Sequence, residues 1–380
     1  MTGYVLMKKV LFVATVAKTH ICVFHLRFLK MFKDWGYEVH VAARNDFGEE
    51  PCEIPCCDVF HEIPFERSPL KPSNIRAYKQ LRHIIETERF ELIHCHTPVG
   101  GVLTRLAARK ARKHGTKVLY TAHGFHFYKG APFKNWLLYY PAEKICARYT
   151  DTLITINRED YELAKKKLHA RRVEHVPGVG VDVQKIKSTQ VDKTVKRREL
   201  GVPEAAFLLV SVGELNRNKN HEVVLRAIAN LKDKNLHYVI AGRGELHTFL
   251  ETLAKDLGIE SQIHLLGYRA DVAEIYRAAD VCVFPSMREG LPVAVIEAIA
   301  SGLPVVAADN RGTRECVLEG QSGYLIPFAN ACLMAEKISF LLMSPNDRAA
   351  MGVEGAKLSE KYDKAIIDAD MKRIYEEHLQ

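Results

Sequence analysis

Two glutamates eight residues apart mark the part of this sequence where chemistry is most expected. In Phe284-Pro-Ser-Met-Arg-Glu-Gly-Leu-Pro-Val-Ala-Val-Ile-Glu-Ala-Ile-Ala-Ser-Gly302, a strand runs into a turn that opens a helix. Glu289 stands in the turn, and Glu297 lies two helical turns further in, on the same side. One carboxylate can reach a ligand at the helix mouth and the other can point back along the same side. Gly290 lets the backbone approach that ligand. The helix mouth near Pro292, Val293 and Ala294 offers backbone N–H groups to an anion. Three further groups stand out. Arg217 and Lys219 follow a strand and a Gly-Glu-Leu turn. His123 ends a strand and precedes Gly124, so its ring can face a cleft, with His126 as a second candidate. Lys18 and His20 follow the first strand as possible ligand contacts.

Short β-branched runs alternating with longer segments at helical spacing must position these groups, a pattern that predicts parallel sheets with crossover helices. Strands are expected at 9–16, 38–43, 92–96, 117–122, 152–156 and 173–176, with helices at 24–35, 74–88 and 101–114. The stretch Pro177-Gly-Val-Gly-Val-Asp182 breaks the rhythm and reads as a linker. The alternation restarts with strands at 206–213, 237–241, 262–266, 281–285 and 304–308, and helices at 221–230, 247–257, 272–278 and 293–301. Two doubly wound, Rossmann-like α/β domains, 1–182 and 183–360, facing a central cleft are the economical architecture. The amphipathic terminal segment 361–380 is assigned as a helix able to pack back on the first domain. Ligands of such domains sit at the carboxyl ends of strands.

Composition agrees with a folded enzyme. The chain has 380 residues, 47% of them hydrophobic and 26% charged, enough for two cores and too apolar for a disordered chain. Its net charge of +8 is uneven: residues 1–182 carry +10 and residues 183–380 carry −2. A basic half suggests a polyanionic partner: nucleic acid, an acidic membrane leaflet or a phosphorylated ligand. No nucleic-acid reader motif is present. Cations interleaved with Trp136, Leu137, Leu138, Tyr139 and Tyr140 in 133–149, with Arg105, Arg109, Lys110, Arg112 and Lys113 nearby, suit a lipid headgroup surface. Nine cysteines, an odd number in a long chain, fit a reducing compartment, and Cys52, Cys56 and Cys57 lack the second ligand pair of a zinc site. The apolar run 10–17 is too short for a secretory signal and reads as a buried strand. No uncharged apolar stretch is long enough to span a membrane.

The segment Glu289-Gly-Leu-Pro with Glu297 resembles the retaining, nucleotide-sugar-dependent glycosyltransferases of family 4, whose fold is called GT-B. Gly242-Arg-Gly244, Leu266-Gly-Tyr-Arg269, Gly323-Tyr-Leu-Ile and Ala122-His-Gly-Phe-His126 extend the resemblance over nearly the whole chain. It implies that Glu297 holds the ribose hydroxyls, that Glu289 with the N–H groups of Gly290 and Leu291 lies against the donor sugar, and that Val293 belongs to the helix mouth. It also implies catalytic roles for His123 and Glu289, a diphosphate contact for Lys219, and a nucleotide-base contact around Tyr268 and Arg269. The chain departs from the family at Glu214, which stands where an arginine is usual; an acid cannot neutralise a leaving diphosphate, and Arg217 is the candidate substitute. The implied enzyme moves a hexose or N-acetylhexosamine from a nucleoside-diphosphate sugar, expected to be a UDP-sugar, to a polyprenyl-diphosphate-linked glycan in capsule or exopolysaccharide assembly. It would need no metal or other cofactor and would work at the inner membrane surface, as a cytoplasmic peripheral protein. A sugar-nucleotide epimerase of the same fold and a non-catalytic sugar-nucleotide-binding partner are the alternatives. The third glycine of a dinucleotide fingerprint is missing after Gly244, so a dehydrogenase is not expected.

Overall fold

A computed structural model describes residues 7–380, which form two compact units, 7–179 with 368–380, and 180–367. In the first, seven parallel strands, β1 (Lys9–Val16), β2 (Glu38–Arg44), β3 (Val59–Glu62), β4 (Leu92–His96), β5 (Lys117–Ala122), β6 (Thr152–Thr155) and β7 (Arg172–His175), lie in the order β3-β2-β1-β4-β5-β6-β7. Strand β1 is buried at every position after Lys9, because helices cover both faces of a doubly wound sheet. The strand order reverses between β1 and β4, the position where such sheets open a crevice at their carboxyl edge.

The second unit repeats the plan. Its strands β8 (Phe207–Val212), β9 (Leu236–Ala241), β10 (Ile263–Gly267), β11 (Val281–Phe284), β12 (Val305–Ala308) and β13 (Gly323–Ile326) run parallel in the order β10-β9-β8-β11-β12-β13. Alternate residues feed two cores. Leu208, Val210 and Val239 face one layer of helices, and Leu209, Tyr238 and Ile240 face the other. Here the order reverses between β8 and β11.

The structure departs from the expected elements where apolar runs are short or absent. β3 is a four-residue edge strand with no fully buried position, so it carries no apolar signature. Helix Arg158–Lys167 is polar almost throughout and starts instead on a cap, the Asn157 side chain accepting from the Asp160 N–H at 2.8 Å. The helix expected over 101–114 begins at Pro98 and breaks at Ala108. The first βα connection is a π-helix, Ala17–Cys22, a form found in short pieces at functional sites. The terminal helix spans Lys364–Leu379; its Tyr375 packs on Phe32 (ring centroids 4.8 Å) and its hydroxyl lies 2.8 Å from His94 Nδ1.

Candidate functional site

At the carboxyl edge of the second unit, the loops after β8 and β9 are pressed together by two glycines. A Cβ on Gly242 would lie 1.8 Å from the Gly213 carbonyl oxygen, and one on Gly244 would lie 2.4 Å from that of Leu215. Hydrogen bonds from Gly213 N–H to Ala241 O (3.0 Å) and from Leu215 N–H to Arg243 O (2.9 Å) fasten them. Gly-x-Gly therefore serves close backbone packing. Beside these loops lies a pocket of about 1000 Å³, lined among others by Glu214, Arg243, Tyr268, Arg269 and Glu297.

Glu297 is half-buried in this pocket, and loss of hydration pushes its carboxyl up to about 7. Glu289 lies in the next loop, after β11. Its Oε1 accepts from Lys219 Nζ at 2.8 Å and from Ser286 Oγ at 2.5 Å. The Met287 N–H to Asn218 O bond (2.8 Å) holds the two loops together. Gly312 lets the neighbouring turn come close, since a Cβ there would lie 2.9 Å from Glu289 Cβ. The helix Val293–Ala300 begins at Pro292 with no side chain capping it, so Leu291, Pro292 and Val293 border an N-terminus whose dipole favours an anion.

Arg217 is not brought to this pocket. Asn216 Oδ1 accepts from the Lys219 N–H (3.0 Å), closing a turn in which Lys219 faces Glu289 while Arg217 lines a separate hollow with Phe249 and Leu250. Arg269 does line the pocket, but its guanidinium is engaged by Asp271 (2.7 Å) and Glu199 (2.5 Å). The arginine that sequence reasoning passed over is Arg243, exposed in the pocket with its guanidinium 5.9 Å from the Tyr268 ring centre. Its place between two glycines after a strand was the available signal.

In the first unit, His123 follows β5 and meets three histidines from elsewhere in the chain. His20 comes from the π-helix, His25 from the residue before helix Leu26–Asp34, and His96 from the end of β4. His96 Nδ1 and His123 Nε2 are 3.4 Å apart, His20 Nε2 and His25 Nε2 are 3.3 Å apart, and the His25 and His96 rings stack at 3.8 Å. Burial pushes His123 down to about 4 and His20 to about 3, so these imidazoles are neutral at pH 7. His126 points elsewhere, stacking on Tyr139 at 4.5 Å. Lys18 pairs with Glu50 at 2.5 Å. Thr97, next to His96, holds a positive φ of 61° outside the range most residues adopt, and its hydroxyl lies 2.7 Å from that of Thr15.

Of the cations assigned to a basic surface, Arg105 is in the core. It is fully buried, forms a two-pronged pair with Glu143 (2.8 and 3.0 Å) and lies 3.8 Å from the Tyr120 ring centre. Arg112 is paired in the same way with Asp151 (2.8 Å to each oxygen). Among the described residues no helix is long and apolar enough to cross a membrane.

Residues 192–358 match the family model described as glycosyl transferases group 1, and residues 9–157 match the one described as glycosyl transferase 4-like. The chain is 43% identical over 376 residues to EpsD of Bacillus subtilis (strain 168), whose name assigns it provisionally to the glycosyltransferases; the match covers 98% of this chain and 97% of that protein. It is 30% identical over 306 residues, 77% of this chain and 78% of the relative, to the UDP-Gal:alpha-D-GlcNAc-diphosphoundecaprenol alpha-1,3-galactosyltransferase of Escherichia coli. Among solved structures, HepE of Anabaena in complex with UDP superposes with a TM-score of 0.78 at 19% identity, over 98% of this chain and 100% of that one. With both sheets in the Rossmann order and both family models matched, the chain belongs to the family-4 glycosyltransferases of GT-B fold and resembles those of exopolysaccharide assembly.

Proposed function

We propose that this glycosyltransferase moves a hexose or N-acetylhexosamine from a UDP-sugar to a polyprenyl-diphosphate-linked glycan, with retention at the anomeric carbon, in bacterial polysaccharide assembly. The observation that carries the reading is the second unit's pocket, where Glu297, Arg243 and Tyr268 stand together beside the Lys219–Glu289 pair. A nucleotide sugar needs a carboxylate for its ribose hydroxyls, fixed cations for its diphosphate and a carboxylate for its sugar hydroxyls. Glu297 supplies the first, Lys219 and Arg243 the second, and Glu289 the third. Arg243 takes over from the arginine missing at Glu214, so the leaving diphosphate meets two cations as its charge grows in the transition state. Front-face attack, with the leaving phosphate taking the acceptor proton, accounts for retention without a covalent nucleophile.

The uridine and lipid-diphosphate parts of the proposal draw on the relatives: HepE was solved with UDP, and the Escherichia coli relative's name gives UDP-Gal and a diphosphoundecaprenol acceptor. A working place at the cytoplasmic membrane face is supported by helix Phe133–Ala147, which exposes Phe133 (80%) and Leu137 (69%) next to Lys134. Glu214 in the pocket favours a second reading, donor binding without turnover. Incubation with labelled UDP-sugars, with and without a polyprenyl-diphosphate-linked sugar, separates the readings. Acceptor-dependent release of UDP is the expected outcome; binding without release in the presence of acceptor would establish the second reading instead.

A further inference from the structure

Among the described residues, the grouping of three or more histidine, cysteine or acidic side chains with metal-ligand spacing is His20, His25, His96 and His123, each offering one ligand atom within 4.8 Å of the others. They gather where the strand order reverses in the first unit, beside the carboxyl ends of β1, β4 and β5, the place at which such a sheet binds ligands. We propose that these four imidazoles form a binding site for one divalent transition-metal ion of the zinc class.

The distances suit that ion. Zinc–nitrogen bonds of about 2.0–2.1 Å place tetrahedral ligand atoms roughly 3.3–3.4 Å apart. Two nitrogen pairs, His20 Nε2 with His25 Nε2 and His96 Nδ1 with His123 Nε2, are separated by 3.3 and 3.4 Å, and one ligand atom from each of the four rings lies within 4.8 Å of the others. The hydrogen bonds that these rings make are only to one another, through Nε2 of His20, His25 and His123 and Nδ1 of His96. Four imidazoles desolvated together with so few donors and acceptors to satisfy them are a costly arrangement unless they serve a ligand. All-nitrogen ligation favours zinc, copper, nickel or iron over magnesium, calcium and manganese, which prefer oxygen ligands.

Four protein ligands make a closed site, which is the structural type. The ion would tie the π-helix, the start of helix Leu26–Asp34 and two strand ends into one rigid group. On the transfer reading, coordination through Nε2 of His123 also fixes Nδ1–H as a hydrogen-bond donor. The binding site itself does not depend on that reading.

The test uses the full chain without a histidine tag, stripped with chelator, and measures zinc binding by calorimetry and cobalt(II) binding by visible absorption. One equivalent of zinc is expected, with intense tetrahedral cobalt bands that zinc abolishes and magnesium leaves untouched. His20→Gln and His123→Gln, at the two half-buried members, should each weaken zinc binding by at least about 100-fold, with unchanged far-UV circular dichroism, while His126→Gln should not alter it. Zinc should also raise the melting temperature of the unaltered chain and not of His20→Gln. Absence of saturable binding, or binding equally tight in the His20→Gln and His123→Gln variants, overturns the proposal. Because the readout is binding, this result and that of the sugar-transfer assay are independent.

Discussion

Glu297 gives the pocket a pH dependence that can be worked out from one carboxyl. Its ordinary value near 4.5 is pushed up to about 7 by burial, so between those pH values the folded chain binds more protons than the unfolded one. Stability therefore falls as pH rises through that window, by at most about 1.4 kcal/mol per unit, and Glu297→Gln should flatten the curve in denaturant melts. Ribose hydroxyls donate to the ionised form, so UDP-sugar affinity should change in the opposite sense, tightening between pH 6 and 8 by up to roughly tenfold per unit below the pKa. Calorimetry at several pH values checks this, with Glu297→Gln binding weakly and without the trend. Arg243→Ala should weaken UDP binding by about 10-fold or more, as expected for losing a charge-assisted hydrogen bond, whereas Arg217→Ala should leave it unchanged. The sequence made Glu289 and Glu297 legible because they share one strand-turn-helix segment. It could not select Arg243 over Arg217, since that choice depends on a turn closed by Asn216 and Lys219. Nor could it gather four histidines from positions 20 to 123 around one point.

At the scale of elements, the donor pocket depends on loops that touch backbone to backbone. Gly242→Ala places a methyl group against the Gly213 carbonyl at a distance no structure accommodates, so the loops after β8 and β9 must separate. The expected cost is about 1–3 kcal/mol in a denaturant melt, together with weaker UDP binding. A substitution at Gly36, where nothing lies within 4 Å but φ is +81°, should be destabilising through backbone strain alone and leave UDP affinity intact. Elements with a continuous apolar run, such as β1, β8 and β11, were readable directly, because both faces of a parallel sheet are covered. β3 and helix Arg158–Lys167 were not, because an edge strand and a capped polar helix draw their stability from neighbours and termini rather than from an apolar pattern.

Across the whole molecule, the +10 carried by residues 1–182 is unaffected by the buried Arg105–Glu143 pair and the Arg112–Asp151 pair, because both acids are already subtracted in it; the excess lies on other side chains. The exposed apolar side chains of helix Phe133–Ala147 are the more specific pointer to a lipid surface. Replacing Phe133 and Leu137 by serine should reduce co-sedimentation with vesicles containing anionic lipid several-fold, without altering UDP binding; equal sedimentation would remove this helix from the account. Sugar transfer from a UDP-sugar is assigned to the Lys219–Glu289 pair and its adjoining pocket, and acceptor-dependent UDP release by Glu289→Gln decides the assignment. The rate should be at least about 100-fold below that of the unaltered chain, with UDP still bound, as for loss of a transition-state interaction; an unchanged rate would refute it.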